Sequence, residues 1–440
     1  MKTRFFSGLL FYPLAFLLPL FLFTACDKND DDDNDGNGEV STIVPDADNG
    51  GLQLPSGFGA VTVAASTGSA RHIAVNRNGD VYVKLNELKS GNGILVLKDS
   101  DNDGRADSQQ GFGNYAGTGI AIRDGYLYAS SDEEVFRYRF NSNNEIENPD
   151  APEKIITGLT RGSQHTSKSI ALDDDGNIFV NIGAPSNSCQ VNDRTPGSPG
   201  QDPCPILETA GGIWQFKSST PNQTQAQGVR YATGIRNVVG LDWNDDDDKL
   251  YVMQHGRDQL STLFPDLFTD SMSAELPSEE FLRVEAGSDF GWPYCYYDHI
   301  QGRKVLAPEY GGDGQTAGRC DGIPDPVVAF PGHWAPNALL FYTGDQFPEK
   351  YEDGAFIAFH GSWNRAPLRQ GGYFVAFVPM KDGKVTGDWE IFAQGFTGVD
   401  VITQPDEARY RPMGLAQGPD GSLYISDSKE GRIWRIVYKG

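Results

Sequence analysis

Asn78-Gly79-Asp80-Val81-Tyr82-Val83 decides the fold: a tight polar turn, then at once a short strand of β-branched and aromatic residues. An Asx-Gly pair supplies the positive-φ turn of a hairpin, and the alternation behind it gives a half-buried strand. Working outward, variants return as Asp124-Gly125-Tyr126-Leu127-Tyr128-Ala129, Asp175-Gly176-Asn177-Ile178-Phe179-Val180 and Asp247-Asp248-Lys249-Leu250-Tyr251-Val252. Two more are Asp353-Gly354-Ala355-Phe356-Ile357-Ala358 and Asp420-Gly421-Ser422-Leu423-Tyr424-Ile425. An apolar strand often stands before the turn, as in Ile170-Ala171-Leu172 and Met413-Gly414-Leu415-Ala416. The six units lie roughly 45 to 105 residues apart. Repeats of about 40 to 50 residues, each with several short strands, are propeller blades. The chain is therefore expected to be all-β, a six-bladed β-propeller with long inter-blade loops. The wider gaps follow the third, fourth and fifth units, and long loops on a rigid ring are where binding sites are built. Glycine (52) and proline (26) are plentiful, and no long stretch has helical periodicity. Ser278 to Val284 alone reads as a brief helix.

The propeller is expected over residues 54–440. Ahead of it, Lys2 and Arg4 precede an apolar run from Phe5 to Phe23 that ends in Thr24-Ala25-Cys26. A basic start, an apolar middle and small residues before a cut site describe a secretory signal over residues 1–25. The Phe-Thr-Ala-Cys ending resembles a lipobox, so Cys26 is the expected lipidation site. Residues 26–53 carry Asp30-Asp31-Asp32-Asp33 and little to bury, and read as a disordered acidic tether. The expected location is the cell envelope, lipid-anchored on a periplasmic or cell-surface face. The net charge of −24 argues against nucleic acid as a partner. No later apolar run has the length to cross a membrane. Beyond Cys26 stand Cys189, Cys204, Cys295 and Cys320; in an exported chain these read most simply as the disulfides Cys189–Cys204 and Cys295–Cys320, with metal binding as the alternative.

His165, in Gly162-Ser163-Gln164-His165-Thr166-Ser167-Lys168, stands in a loop just before a blade strand, where an imidazole suits a general base. Arg236 and Asn237 stand at another strand entrance, ahead of Val238-Val239-Gly240-Leu241-Asp242-Trp243. Then come His255-Gly256-Arg257-Asp258, Asp289-Phe290-Gly291-Trp292-Pro293 and Arg409-Tyr410-Arg411. Strand residues two apart point the same way, so Arg409 and Arg411 are placed to grip one anion. Away from these, Asp99, Asp101 and Asp103, with Gly104 and Asp107, have the spacing of a calcium loop, although Gln110 stands where the closing Glu belongs. A structural Ca²⁺ site and a plain acidic turn are the two readings.

Taken together, the motifs from residue 54 onward resemble the soluble glucose dehydrogenases that use pyrroloquinoline quinone (PQQ) and, more closely, the sorbosone dehydrogenase branch of that superfamily. Phe341-Tyr342-Thr343-Gly344, His360-Gly361-Ser362-Trp363-Asn364-Arg365 and Gly183-Ala184-Pro185-Ser186-Asn187 carry the second likeness. The resemblance implies oxidation of a sugar, sugar alcohol or aldehyde, with PQQ and Ca²⁺ as cofactors and an external quinone or cytochrome as electron acceptor. It makes His165 the base and Arg236 the group that stabilises charge on the reduced quinone. It gives Asn237, Arg409 and Arg411 to cofactor binding, and the carbonyls of Gly256 and Arg257 to Ca²⁺. Where the glucose enzymes carry an Asp beside the sugar, this chain has Ala184. Their cofactor-facing Lys is missing too, with His360, Asn364 and Arg365 as candidates in its place. Those departures favour the alternative, a carbohydrate- or protein-binding propeller that has lost the chemistry. A calcium-dependent hydrolase is a weaker reading, because no converging carboxylate and Asn set is evident.

Overall fold

The computed structural model describes residues 42–440 apart from residue 367. The expected signal, Cys26 and the tether as far as residue 41 lie outside the described residues. Six four-stranded antiparallel units account for nearly all the secondary structure. Blade one is Ala70–Val75, Val81–Lys89, Asn92–Lys98 and Ser108–Phe112. Blade two is Ile120–Arg123, Tyr126–Ser130, Val135–Arg139 and Glu153–Thr157, and blade three is Ile170–Leu172, Asn177–Ile182, Gly212–Lys217 and Val229–Thr233. Blade four is Val238–Asn244, Lys249–Gln254, Glu279–Val284 and Val328–Phe330, and blade five is Pro336–Phe341, Ala355–Phe359, Phe374–Val378 and Glu390–Ala393. Blade six takes Pro412–Gln417, Leu423–Asp427 and Ile433–Tyr438 from the end of the chain and Phe58–Ala64 from its start. Every turn unit of the sequence joins the first strand of a blade to the second.

The core is divided among the blade interfaces. One apolar cluster joins blades five and six through Phe356, Phe377, Leu415, Ile425 and Trp434, and another joins six and one through Ile433, Tyr424, Val83 and Leu95. Four more fill the remaining interfaces, so the ring is closed by six separate cores rather than by one. This follows from strands buried on both faces, such as Asn177–Ile182 and Phe374–Val378, each packing against the neighbouring blades.

Two readings are corrected. Glu279–Val284 is the third strand of blade four, not a helix: it pairs with Lys249–Gln254 and Val328–Phe330, and its two glutamates are buried on partners of their own. The α-helices are Leu260–Leu263 and Asp270–Glu275, in the loop before that strand. The folded part also starts ahead of residue 54. Ile43 packs with Val61 and Val437, Asp46 pairs with Arg105 at 2.5 Å, and Gln53 bridges Gln394.

Candidate functional site

Because each turn unit, five with an Asx-Gly pair and one with Asp247-Asp248, links first to second strand, all six turns gather at one end of the ring. The opposite end receives the starts of the inner strands and the ends of the second strands. The long segments 158–169, 183–211, 255–278, 360–373 and 394–411 all emerge there, and Cys189–Cys204 closes the second of them. Cys295–Cys320 ties down the insertion between the last two strands of blade four, so both expected disulfides form. A cavity of about 220 Å³ at this mouth is lined by His165, Arg194, Arg236, His255, Gly256, Asp258, Glu279, His333, Ala335, Trp363 and Asn364. Left-handed backbone marks its wall: His165, Arg194, His333 and Ala335 are all non-glycine residues at positive φ, a strain typical of functional sites.

His165 is held by one bond. Its Nδ1 lies 2.5 Å from the carbonyl of Ala184, so Nδ1 carries the proton and Nε2 is the free basic nitrogen. Burial, with the Arg236 charge added, pushes its pKa down to about 3, which leaves the ring neutral near pH 7. The Ala184 amide in turn donates to the carbonyl of Arg236 at 2.8 Å, so one residue positions both. Gly183 permits this approach, since a Cβ there would stand 2.6 Å from His165 Cβ and from Asn237 Oδ1. The Ala184 methyl packs with Cys189, Cys204 and Trp292, an apolar pocket that would not hold a carboxylate.

Arg236 is buried and almost fully used. Nε donates to the Asn187 carbonyl at 3.2 Å, Nη2 to Asn187 Oδ1 at 3.1 Å and Asp258 Oδ2 at 2.9 Å, and Nη1 to the Gly256 carbonyl at 2.7 Å. A guanidinium has five N–H groups, so one on Nη1 remains for the cavity. Asp258 is the hub. Arg194 Nη2 donates to its Oδ2 at 2.9 Å and Asn364 Nδ2 to its Oδ1 at 3.0 Å. Burial alone would raise this carboxyl, but Arg236, His333 and Arg194 hold it well below the usual range. Beside it, Glu279 accepts the Gly256 and Ala335 amides at 3.0 and 3.3 Å, and burial pushes its pKa up to about 8. The mouth thus holds one ionised and one protonated carboxyl near pH 7. Among the described residues Asn364 Oδ1 is buried with no hydrogen-bond partner, a carbonyl left for a ligand.

The other expected residues divide. Asn237 is buried beside His165, accepting from Asn181 Nδ2 at 3.3 Å. His360 sits near the axis with Nε2 2.8 Å from Ser428 Oγ, and Arg411 Nε donates to the His360 carbonyl at 3.0 Å. Arg409 does not join Arg411: residues 409–411 precede the strand, and the Arg409 guanidinium lies over the Tyr410 ring at 4.9 Å. Arg365 turns away from the cavity, bonding the carbonyls of Ala274, Gly332 and Arg369 and the Glu275 carboxylate. The Gly256 carbonyl faces Arg236, and the Arg257 side chain is buried on Glu309 at 2.6 Å. In the acidic loop, it is Asp99, Asp101 and Asp107 whose carboxylates converge; Asp103 accepts the Arg105 amide instead. Arg194, Glu279 and His333 were not singled out by the sequence, for none stands in a local motif.

Fold and mouth define a six-bladed propeller with a polar axial site. The chain belongs to the TrAA12-like family, whose model matches residues 52–439. It is 22% identical over 453 residues to a pyrroloquinoline quinone-dependent sugar dehydrogenase of Hypocrea jecorina, covering 96% of each chain. The calcium structure of a Trichoderma reesei carbohydrate-active enzyme of family AA12 superposes with a TM-score of 0.70 at 20% identity, over 88% of this chain and 97% of that one. The holo form of the PQQ domain of Coprinopsis cinerea pyranose dehydrogenase gives 0.69 at 18%, with the same coverage.

PQQ is a planar tricarboxylate with a pyrrole N–H, and the mouth has groups for both: the spare Arg236 N–H and Arg411, which makes no ion pair among the described residues, suit carboxylates, and the unpartnered Asn364 Oδ1 suits the N–H. Calcium fits less directly, because the Gly256 carbonyl expected to bind it faces the Arg236 guanidinium, itself a cation.

Proposed function

We propose that this protein is a PQQ-dependent dehydrogenase that oxidises a hydroxyl or hydrated aldehyde of a sugar and passes the electrons to an external acceptor. The observation that carries this reading is the neutral, half-buried His165, fixed through Nδ1 with Nε2 free beside Arg236. Family membership and the printed activities of its relatives supply the cofactor class. When bound, PQQ would supply the two-electron acceptor for the hydride that leaves the substrate carbon. His165 Nε2 would take the hydroxyl proton as the C=O bond forms. Arg236, locked by four bonds, would offer its remaining N–H to developing negative charge without rearranging. Asn364 and Asn237 would orient the cofactor and substrate at the rim. A calcium ion at the Gly256 carbonyl would stand against the Arg236 guanidinium that already donates to it, and no step is derived through it. The same reading puts the enzyme in the cell envelope, supported by the leader sequence, Cys26 and the two disulfides.

The test is a titration of the purified protein with PQQ, with and without Ca²⁺, followed by aldoses and sugar alcohols with an acceptor dye. Stoichiometric uptake and bleaching of the quinone by a sugar are expected. No uptake at micromolar PQQ would make the chain a binding propeller.

A further inference from the structure

We propose that Trp363 is a stacking platform for the substrate, and that it selects closed sugar rings, pyranoses above all, over open-chain sugar alcohols and small aldehydes. The choice of substrate class rests on the dehydrogenase reading; the platform itself rests on geometry. The chain has seven tryptophans, and six are engaged within the protein. Trp243 stacks on Phe179 at 5.4 Å, Trp214 lies under the Arg230 guanidinium at 4.7 Å, and Trp334 and Trp389 pack with each other and with Phe374. Trp292 and Trp434 donate their indole N–H groups to the carbonyls of Asn187 and Gly50, each at 3.1 Å. Trp363 does none of this. It is 58% exposed, the one exposed aromatic among the described residues, and neither its ring nor its Nε1 has a partner among them.

A single exposed apolar side chain is ordinary. What sets this one apart is where it stands and how it is held. Trp363 lines the polar cavity that also holds His165, Arg194 and Arg236. The backbone on either side of it is clamped. Ser362 donates its amide to the Gly371 carbonyl at 2.9 Å and its hydroxyl to Gln370 Oε1 at 2.6 Å, and its carbonyl accepts from the Tyr373 hydroxyl at 2.5 Å. On the other side, Asn364 Nδ2 donates to Asp258 at 3.0 Å, and Arg365 is tied to the carbonyls of Ala274 and Gly332 and to Glu275. The indole is therefore apolar surface on a fixed backbone, with only its side-chain torsions left to order when something covers it. That is a small entropy cost for a large contact area. Volume indicates what the cover is. The cavity of about 220 Å³ is smaller than the roughly 300–1,000 Å³ of sites that enclose a whole drug-sized ligand. A tricyclic cofactor would fill it, so the substrate meets the cofactor at the rim, where the indole lies. A pyranose suits that position because ring closure gathers C–H bonds on a face and hydroxyls at the edge. The face can lie on an aromatic ring, while the edge hydroxyls reach the polar wall. There Arg194 keeps one Nη1 N–H unused: its Nε and Nη2 go to Gln164 and Asp258, and its other Nη1 N–H to Gln259 Oε1 at 2.7 Å. An open-chain polyol has no such face until its torsions are frozen, and that ordering costs free energy.

The test uses the purified protein, with and without PQQ, as wild type, Trp363→Ala and Trp363→Phe. The difference in tryptophan emission between wild type and Trp363→Phe isolates the signal of this indole. It should change saturably with at least one of the methyl pyranosides of glucose, galactose, xylose and fucose, whose rings cannot open, and not with sorbitol. In the PQQ-loaded enzyme, Trp363→Ala should raise KM for the matching free sugar about 5- to 50-fold, as for a lost stacking contact. Its kcat should stay within a few-fold, the pattern of lost ground-state binding. Trp363→Phe, which keeps a ring, should recover most of the loss. The affinity for PQQ, the KM for the acceptor dye and the melting temperature should not move. An unchanged sugar KM in Trp363→Ala, with PQQ uptake and turnover intact, overturns the platform and leaves the dehydrogenase reading standing. So does a loss that falls on PQQ affinity, which gives the indole to the cofactor, or on the KM for the dye, which gives it to the electron acceptor. An indole that answers sorbitol as strongly as the pyranosides overturns the selection of closed rings. A pyranoside response in a protein that takes up no PQQ keeps the platform and overturns the dehydrogenase. No response from the indole and no uptake of PQQ overturn both.

Discussion

At the scale of single residues, burial keeps His165 unprotonated at a cost in basicity. Desolvation disfavours the charged imidazolium, so the ring is neutral near pH 7, and the Ala184 carbonyl decides which nitrogen is free. Two consequences can be measured once the protein is loaded with PQQ. His165→Ala should lower turnover by about 10²- to 10⁴-fold while leaving cofactor affinity nearly unchanged, as for a lost general base. Turnover within a few-fold of wild type would remove His165 from the reaction. The sign of the pH effect follows from a pKa lowered from 6.5 to about 3. The neutral base is present above that value and lost only as pH falls through it, so kcat/KM should show no His165 limb between pH 8 and 5. An acid limb centred near 6.5 that vanishes in His165→Ala would show an ordinary, solvated histidine.

At the scale of elements, the loops do the positioning, and Asn187 is the clasp between two of them. Its side chain accepts from the Asp258 amide at 2.8 Å and donates to the Asp258 carbonyl at 2.9 Å, while its own carbonyl accepts from Arg236 and from Trp292 Nε1 at 3.1 Å. The Cys189–Cys204 bridge, spanning 15 residues, holds the loop that carries it. Replacing both cysteines by serine should cost about 3 kcal/mol by loop-closure entropy. It should also weaken PQQ binding, because Asn187 loses its anchor; a variant that melts lower but binds as well as wild type would confine the bridge to stability. The same elements show what a sequence reveals. The six polar turns, five of them Asx-Gly and one Asp247-Asp248, were legible because a hairpin turn is a local matter of two residues. Glu279–Val284 misled because Glu279 and Glu280, polar positions that read as a solvent face, are buried on the Gly256 amide, Gln254 and Lys304. His165, Arg236 and Asn237 were legible from strand-entrance motifs. Arg194 and His333 were not, because only the folding of separate loops brings them to Asp258. Arg409 failed for a related reason: alternation applies within a strand, and that strand begins at Pro412.

At the scale of the molecule, a propeller must close its ring, and this one does so with the two ends of the described chain. Phe58–Ala64 pairs with Ile433–Tyr438, so blade six is finished by the strand that comes first. The segment before it reinforces the seam. Ile43 and Leu52 are buried, and Asp46 accepts from the Thr62 amide and hydroxyl at 2.9 and 2.7 Å. The Gly50 carbonyl accepts from Trp434 Nε1 at 3.1 Å and Arg432 Nη1 at 3.0 Å. The acidic stretch 30–33 is absent from any chain that starts at residue 42, so its charge does not enter a comparison of that chain with one starting at residue 54. The shorter chain loses burial of two side chains, on the order of 3–6 kcal/mol. It also leaves the indole N–H of Trp434, at the centre of the core between blades five and six, without its acceptor. Its melting temperature should therefore fall by several degrees, with the loss concentrated in faster amide exchange across blade six. Because Arg411 and His360 sit on that side of the axis, PQQ affinity should fall with it. Equal melting of the two chains would mean that residues 42–53 lie on the ring without supporting it, and that the seam holds through the Phe58–Ala64 strand alone.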